Sequence, residues 1–272
     1  MKLDLHIHST ASDGSCTPEE VVERAARGGL DVIALSDHDT TAGVAAAQAA
    51  AANHSIEVIP AVEVSSSDDL GEIHILGYFV DPQAEVLLAH ARLGRERREG
   101  RMRGMLERLS LQGVTVRYAD VAAHMEGKDT TPSRPHLARA LVDAGYVASV
   151  PDAFARLIGD DHPAFLPTAI TSPREAVETI RAAGGLAIWA HPDSRHLEPL
   201  LDKLVEAGLA GLEAYRPGTP SGRVARLELL AERRGLVLTG GSDWHGPTQG
   251  RELGDFFVEA GEVAPFLDVG GL

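Results

Sequence analysis

The residues of this chain that can do chemistry fall at a few definite points. His6 and His8 stand two apart in Lys2–Ser9 (KLDLHIHS), where Leu3, Leu5 and Ile7 alternate with Asp4, His6 and His8. In a strand, residues i and i+2 face the same way, so the spacing predicts two imidazoles on one face. His38 closes the apolar run Val32–Ser36, within Ser36-Asp37-His38-Asp39. Glu63 lies near the end of Ile56–Val64, and His74 lies within Ile73–Val80. His191 follows Leu186–Ala190, and Asp243 and His245 follow Leu236–Gly240. With Asp13, these six histidines and three carboxylates are nine potential ligands, more than one ion needs. Imidazole and carboxylate donors suit zinc, manganese or iron. Two or three such ions could clamp the attacking and leaving oxygens of a displacement. A lone histidine is more often structural than a ligand. A set placed at several strand ends is not explained that way.

These groups need a scaffold that brings strand ends together. Apolar strands alternate with helix signals over the first 90 residues and again from Ser172. Thr17-Pro18-Glu19-Glu20 and Ser172-Pro173-Arg174-Glu175 are capped helix starts, with an N-cap, a proline and acidic first turns. Further helices are expected from about Thr41 and over Leu197–Ala207 and Ser221–Arg234, with a strand at Gly211–Tyr215. About seven strands result, in the βα order of a parallel sheet or barrel. In a closed parallel barrel the carboxyl ends of all strands meet on one face, so the nine groups would converge. The pattern changes near residue 90. Arg92–Gln112 reads as a long basic helix, a second helix opens at Ser133-Arg134-Pro135-His136, and Pro151–Ile158 reads as a third. The chain is therefore expected to be a barrel over 1–98 and 166–272 with a helical insert over 99–165.

Composition narrows the function classes. The 272 residues carry 25 Lys and Arg against 40 Asp and Glu, a net charge of −15, with 44% hydrophobic residues. That charge argues against coating duplex nucleic acid, which needs a positive surface. It is unevenly spread: residues 92–139 hold 11 basic and 6 acidic side chains, leaving −20 elsewhere. One cysteine, Cys16, excludes an internal disulfide and fits a reducing compartment. Strand-like sequence from Lys2 leaves no room for a signal peptide, and no apolar run is long enough to span a membrane. A cytoplasmic location is the expectation.

Taken together, Asp4-Leu5-His6-Ile7-His8-Ser9, Asp13-Gly14, Ser36-Asp37-His38-Asp39-Thr40, Glu63, His74, His191-Pro192 and Ser242-Asp243-Trp244-His245 resemble the PHP (polymerase and histidinol phosphatase) family. The match covers the chain apart from the insert. The resemblance implies a distorted seven-stranded, TIM-like (β/α) barrel with a metal-dependent phosphoesterase site. The size and the helical insert are similar to those of the 3′,5′-nucleoside bisphosphate phosphatases. Carried onto this sequence, the resemblance implies one metal on His6, His8, Glu63 and Asp243. A second shares Glu63 and takes His74 and His191. A third position is built from Asp13, His38 and His245, where Asp13 replaces the histidine of some relatives. Manganese is the first expectation, with iron or zinc as alternatives. The general acid is one of Asp13, His38 and His245.

The insert is the expected specificity element. A helix start offers free N–H groups to an anion, and arginine grips phosphate bidentately. Arg134 is the first candidate, then Arg103, with Arg101, Ser133, Pro135, His136 and the rim residue Arg195. Arg216 is a weaker candidate on the same rim. The expected substrate is a nucleoside 3′,5′-bisphosphate, hydrolysed to the 5′-monophosphate and phosphate. Trimming of short 5′-phosphorylated RNA is the close alternative. Histidinol phosphate carries a cationic amine and suits an arginine-rich insert less well. A C–N hydrolase would need a lysine carbamate, and Lys2, Lys128 and Lys203 are not at mid-barrel strand ends. A degenerate, non-catalytic metal-binding module is disfavoured because every ligand position is filled. Nothing in the sequence sets the oligomeric state.

Overall fold

The computed structural model describes residues 1–69, 71–125, 132–167, 171–247 and 250–272; Lys128 lies outside these. The chain divides into two units, Met1–His90 with Thr171–Leu272, and Ala91–Ile170.

The first unit is built on one sheet of eight strands: β1 (Lys2–Ile7), β2 (Val32–Leu35), β3 (Glu57–Asp68), β4 (Gly71–Tyr78), β5 (Leu186–Trp189), β6 (Gly211–Tyr215), β7 (Val237–Gly240) and β8 (Val258–Glu259). The helices are α1 (Pro18–Arg27), α2 (Val44–Ala51), α3 (Glu85–Leu111), α4 (Tyr118–Ala122), α5 (Arg134–Asp143), α6 (Val150–Ala153), α7 (Pro173–Ala182), α8 (Ser194–Ala207), α9 (Ser221–Arg234) and α10 (Ala264–Gly270). The strand order is β7-β6-β5-β4-β3-β2-β1-β8. The segment after β7 returns to β1: Asp243 N–H donates to His6 O at 2.9 Å, and His8 N–H donates to Trp244 O at 2.9 Å. These bonds nearly close the sheet into a TIM-like barrel.

Seven strands are expected from the sequence, and the sheet has eight. The additional β8 is two residues long and pairs antiparallel with β1 through Leu3 and Val258. A two-residue strand leaves no periodicity to read. The barrel is also not wholly parallel. β4 runs antiparallel to both β3 and β5. Only two residues separate Asp68 from Gly71, and a parallel pairing would need a crossover of a dozen residues or so.

Side-chain alternation separates two cores. Leu3, Leu5, Ala34, Ile59, Ala61, Leu76, Tyr78 and Ile188 form the barrel interior with Phe266 of α10. Ile33, Leu35 and Val58 pack outside it with Val21, Val22 and Ala25 of α1. Ile75, Ala187 and Leu212 pack outside with Val177 and Ile180 of α7 and Leu201 of α8. Each buried Val, Leu or Ile among them contributes about 1.5–3 kcal/mol. The capping boxes read at Thr17 and Ser172 are formed and start α1 and α7.

In the second unit α3–α6 enclose their own core, including Met105, Leu109, Leu137, Leu141 and Ile158. The basic helix starts at Glu85, earlier than Arg92. The segment read as one short helix over Pro151–Ile158 is the single turn α6 continued by a π-helical turn at Phe154–Ile158.

Candidate active site

A register shift in β1 decides where the first two histidines point. Strict alternation would put His6 and His8 on the face opposite Leu3 and Leu5. The pairing of β1 with β2 is irregular between Asp4 and Ile7. Such an irregularity re-aims the side chains beyond it. Ile7 joins the outer core under α1, while His6 and His8, both fully buried, reach Glu63. In β3, Ile59 and Ala61 of the interior are followed on the same face by Glu63. In β4 the site residue is near the start of the strand: because β4 is antiparallel, its beginning reaches the end where its neighbours finish. His74 therefore meets Glu63 from the adjacent strand.

Glu63 is the centre of the site. Its Oε2 lies 3.3 Å from His6 Nε2, 3.2 Å from His8 Nε2 and 3.2 Å from His38 Nδ1. Its Oε1 lies 2.9 Å from His74 Nδ1 and 3.2 Å from His191 Nε2. Asp243 Oδ1 is 3.4 Å from Nε2 of both His6 and His8. Asp13 Oδ1 is 3.4 Å from His245 Nε2 and 3.9 Å from His8 Nδ1. Among the described residues, three groups have donor atoms within 4.8 Å of one another: His6 with His8 and Asp243; His38 with Glu63 and His74; and His8 with Asp13, His38 and His245. His8 and His38 each belong to two groups. All nine sequence candidates thus lie together.

Backbone bonds fix this register. Glu63 N–H donates to Asp37 O at 3.1 Å, and Asp39 N–H donates to Glu63 O at 2.9 Å, so His38 is held opposite Glu63. Asp39, His191 and Asp243 have φ of 56°, 33° and 55°. Non-glycine residues in left-handed backbone are uncommon and cluster at functional sites. Gly241 is required by close approach, since a Cβ there would lie 2.4 Å from His6 N.

Electrostatics follow from packing opposite charges in a dry space. Burial disfavours charged imidazole at His6, but Glu213, Glu63 and Asp243 outweigh it and hold its pKa well above the usual value. His8 and His74 are likewise penalised by burial, yet reach about 10. Asp243 and Glu63 counter His8, and Glu63 and Glu72 counter His74. Burial would raise the Glu63 and Asp13 carboxyls, but surrounding imidazoles hold both well below the usual range. His38 goes the other way, to about 4, because its burial exceeds the help of Glu63 and Asp13.

The donor set fits divalent metal ions. Nδ1 of His8, His38 and His74 and Oε2 of Glu63 are buried without hydrogen-bond partners. Unsatisfied buried polar atoms are rare, and here they surround common points between nitrogen and oxygen donors. The resemblance gives one ion to His6, His8, Glu63 and Asp243 and a second to Glu63, His74 and His191; the close donor groups join His38, not His191, to Glu63 and His74. Asp13, His38 and His245 form the further group, which His8 also reaches.

Among the supporting residues, Asp37 and Asp39 flank His38 in the sequence and are legible there as candidates to orient ligand histidines, whereas Glu213 and His90 are not. Glu213 of β6 is buried, with Oε1 2.8 Å from His6 Nδ1 and Oε2 accepting from His191 N–H at 2.8 Å. The available signal was a carboxylate inside the buried strand Gly-Leu-Glu-Ala-Tyr, which requires a partner. Asp37 accepts from Ser9 N–H, Ser9 Oγ and Ser12 Oγ, each at 2.7 Å. Asp39 Oδ1 accepts from Ser65 N–H at 2.8 Å and faces His90 Nε2 at 2.9 Å. His90 gave no sign of this, having no spaced partner in sequence.

The expected substrate contacts are distributed differently. Arg195, in the first unit, is exposed and donates to Asp193. The others belong to the second unit. Arg134 pairs with Asp160, with its guanidinium 5.2 Å from the Phe165 ring centre. Arg103 lies 4.2 Å over Tyr118, and Arg101 Nε donates to Leu166 O at 2.6 Å. His136 Nδ1 accepts from Ser133 N–H at 3.2 Å, at the start of α5 beside Pro135.

A TIM-like barrel that gathers imidazoles and carboxylates at its strand ends defines a metal-dependent hydrolase. The PHP domain model matches residues 4–119. A 3′,5′-nucleoside bisphosphate phosphatase of Chromobacterium violaceum is 35% identical, over 93% of this chain and 90% of its own. A phosphoribosyl 1,2-cyclic phosphate 1,2-diphosphodiesterase of Eggerthella lenta is 37% identical, over 89% and 94%. A 5′-3′ exoribonuclease of Haemophilus influenzae is 37% identical, over 93% and 93%. Among solved structures, one from Bifidobacterium adolescentis, assigned as a metal-dependent phosphoesterase, superposes with a TM-score of 0.88 at 35% identity, over 98% of this chain and 95% of that one. The chain belongs to the PHP family and is a metal-dependent phosphoesterase. Among the described residues, no helix is long and apolar enough to cross a membrane.

Proposed function

We propose that this protein removes the 3′-phosphate of nucleoside 3′,5′-bisphosphates, giving the 5′-monophosphate and phosphate, with two or three divalent ions, manganese foremost. The observation that carries the reading is Glu63, whose two oxygens each face a different set of imidazoles. When bound, divalent cations would acidify a water for attack and offset charge on the phosphoryl oxygens.

The chain's own residues do the rest. Glu63 supplies the shared negative charge that keeps two ligand sets at one centre. Asp243, held by Arg216 Nη2 at 2.8 Å through Oδ2, keeps Oδ1 turned to His6 and His8. Asp37 ties Ser9 and Ser12 to the barrel rim and so fixes the loop that carries Asp13. Of the three candidates for protonating the leaving oxygen, Asp13 and His38 are held deprotonated at neutral pH, so the role falls to His245. Arg134, Arg103 and Arg101, with the α5 start at Ser133, Pro135 and His136, bind the second phosphate, and Arg195 assists from the rim. Arg134 would exchange Asp160 for phosphate. The exoribonuclease relative supports a second reading, removal of nucleotides from short 5′-phosphorylated RNA, because both substrates present a terminal 5′-phosphate beside the bond cleaved.

The test is a steady-state comparison on manganese-loaded protein of adenosine 3′,5′-bisphosphate, a 5′-phosphorylated dinucleotide and histidinol phosphate. The reading expects the highest kcat/KM for the bisphosphate. Preference for the dinucleotide selects the second reading, and preference for histidinol phosphate contradicts both.

A further inference from the structure

We infer that Glu213 is a positioning residue that sets two candidate ligand histidines, His6 and His191, at once and, with Arg216, ties them to Asp243. The inference rests on the reading of His6, His191 and Asp243 as metal ligands. Glu213 is 1% exposed, and its two oxygens are committed in different directions. Oε1 lies 2.8 Å from Nδ1 of His6, on the opposite side of the ring from Nε2, which faces Glu63 and Asp243. A carboxylate can only accept, so this contact keeps a proton on Nδ1 and leaves Nε2 as the nitrogen that can give up its proton to bind an ion. Oε2 accepts from the backbone N–H of His191 at 2.8 Å. That residue has φ of 33°, a conformation that persists only where surroundings over-determine it. Glu213 Oε2 also stands 3.5 Å from Nε of Arg216, whose Nη2 holds Asp243 Oδ2 at 2.8 Å.

One carboxylate on β6 thus reaches residues of β1, of the loop after β5 and, through Arg216, of the loop after β7. The two metal sets that share Glu63 on one side are joined on the other by Glu213. Glu213 belongs to none of the three close donor groups, so its effect passes through the residues it contacts. Carboxylate partners of this kind orient ligating imidazoles and raise their basicity, and losing one typically weakens metal binding about 10–100-fold.

Glu213→Gln is the informative change. It preserves shape but offers one acceptor oxygen and an NH₂ group, so it cannot accept from both His6 Nδ1–H and His191 N–H. The readout is Mn²⁺ alone, with free ion counted by electron paramagnetic resonance against wild type. Binding weakened about 10–100-fold is expected; unchanged affinity and stoichiometry overturns the inference. A second measurement needs no variant. In zinc-loaded wild-type protein with ¹⁵N-labelled histidine, His6 is expected to carry its proton on Nδ1, and a proton on Nε2 overturns the inference. A role in stability alone would lower the melting temperature of the variant without changing ion affinity. Wild-type protein that binds neither ion overturns the metal-site reading itself, an outcome distinct from an unaffected variant.

Discussion

Glu63 Oε1 lies 2.9 Å from Nδ1 of His74, one strand away, while Oε2 of the same carboxylate faces His6, His8 and His38. Among the described residues, no other carboxylate in the site reaches so many imidazoles. Glu63→Gln removes the charge and keeps the volume. Metal content and turnover should fall together, with kcat down by about 10²–10³-fold, the scale seen when a central electrostatic group is lost. Elemental analysis beside a phosphate-release assay checks this; full metal content with full turnover would sink the scheme.

Metal loading should release protons. In the metal-free protein the pKa values of His8 and His74 stand at about 10, so both are protonated at neutral pH. Metal binding requires the neutral ring, so the ion displaces those protons and affinity should rise with pH through the neutral range. Calorimetric titration in two buffers of different ionisation enthalpy should show net release. Identical heats in both buffers would contradict the charge state assigned to the site.

Asp37 offers a stability test at a residue that is not itself one of the metal donors. Its carboxylate accepts three bonds of 2.7 Å from Ser9 and Ser12 in a buried setting. Asp37→Ala leaves those donors without a partner, at about 1–3 kcal/mol for each buried group left unsatisfied. A denaturant midpoint unchanged within error would show that water or another side chain already serves them.

Gly241 tests barrel closure. An added Cβ would meet His6 N and Cβ at 2.4 Å, contacts that a backbone cannot relieve cheaply. Gly241→Ala should cost about 1–3 kcal/mol, the range for forced overpacking. It should also weaken metal binding, because His6 must move. A variant with normal stability and affinity would mean that the β1–β7 seam is looser than its hydrogen bonds indicate.

The sequence made the ligands legible for a simple reason. Histidines and carboxylates at the ends of apolar strands violate burial preferences, and the violation repeats at His6, His38, Glu63, His191 and Asp243. The supporting residues were harder to see. Glu213 is one acidic residue in a short strand, and only the fold shows that it spans β1 and the loop after β5. His74 was found, but the physical reason for its position was not, because the antiparallel course of β4 depends on pairing rather than on local pattern. The re-aiming of His6 and His8 comes from a register shift with β2, which no single-strand periodicity encodes. β8 is too short to give a pattern at all. In the second unit, the helix start points to Arg134, but no local pattern encodes its pairing with Asp160.

That pairing bears on substrate binding. If Arg134 grips the second phosphate, Arg134→Met should raise KM for adenosine 3′,5′-bisphosphate about tenfold or more with kcat little changed, the pattern of lost uniform binding. An equal effect on a monophosphate substrate would place Arg134 in a purely structural role with Asp160 and Phe165.

The most direct measurement follows the products of adenosine 3′,5′-bisphosphate incubated with manganese-loaded protein, by phosphorus magnetic resonance. The account predicts adenosine 5′-monophosphate and inorganic phosphate in equal amounts, lost on chelation and restored by Mn²⁺. Formation of the 3′-monophosphate, or turnover that survives complete metal removal, would contradict it.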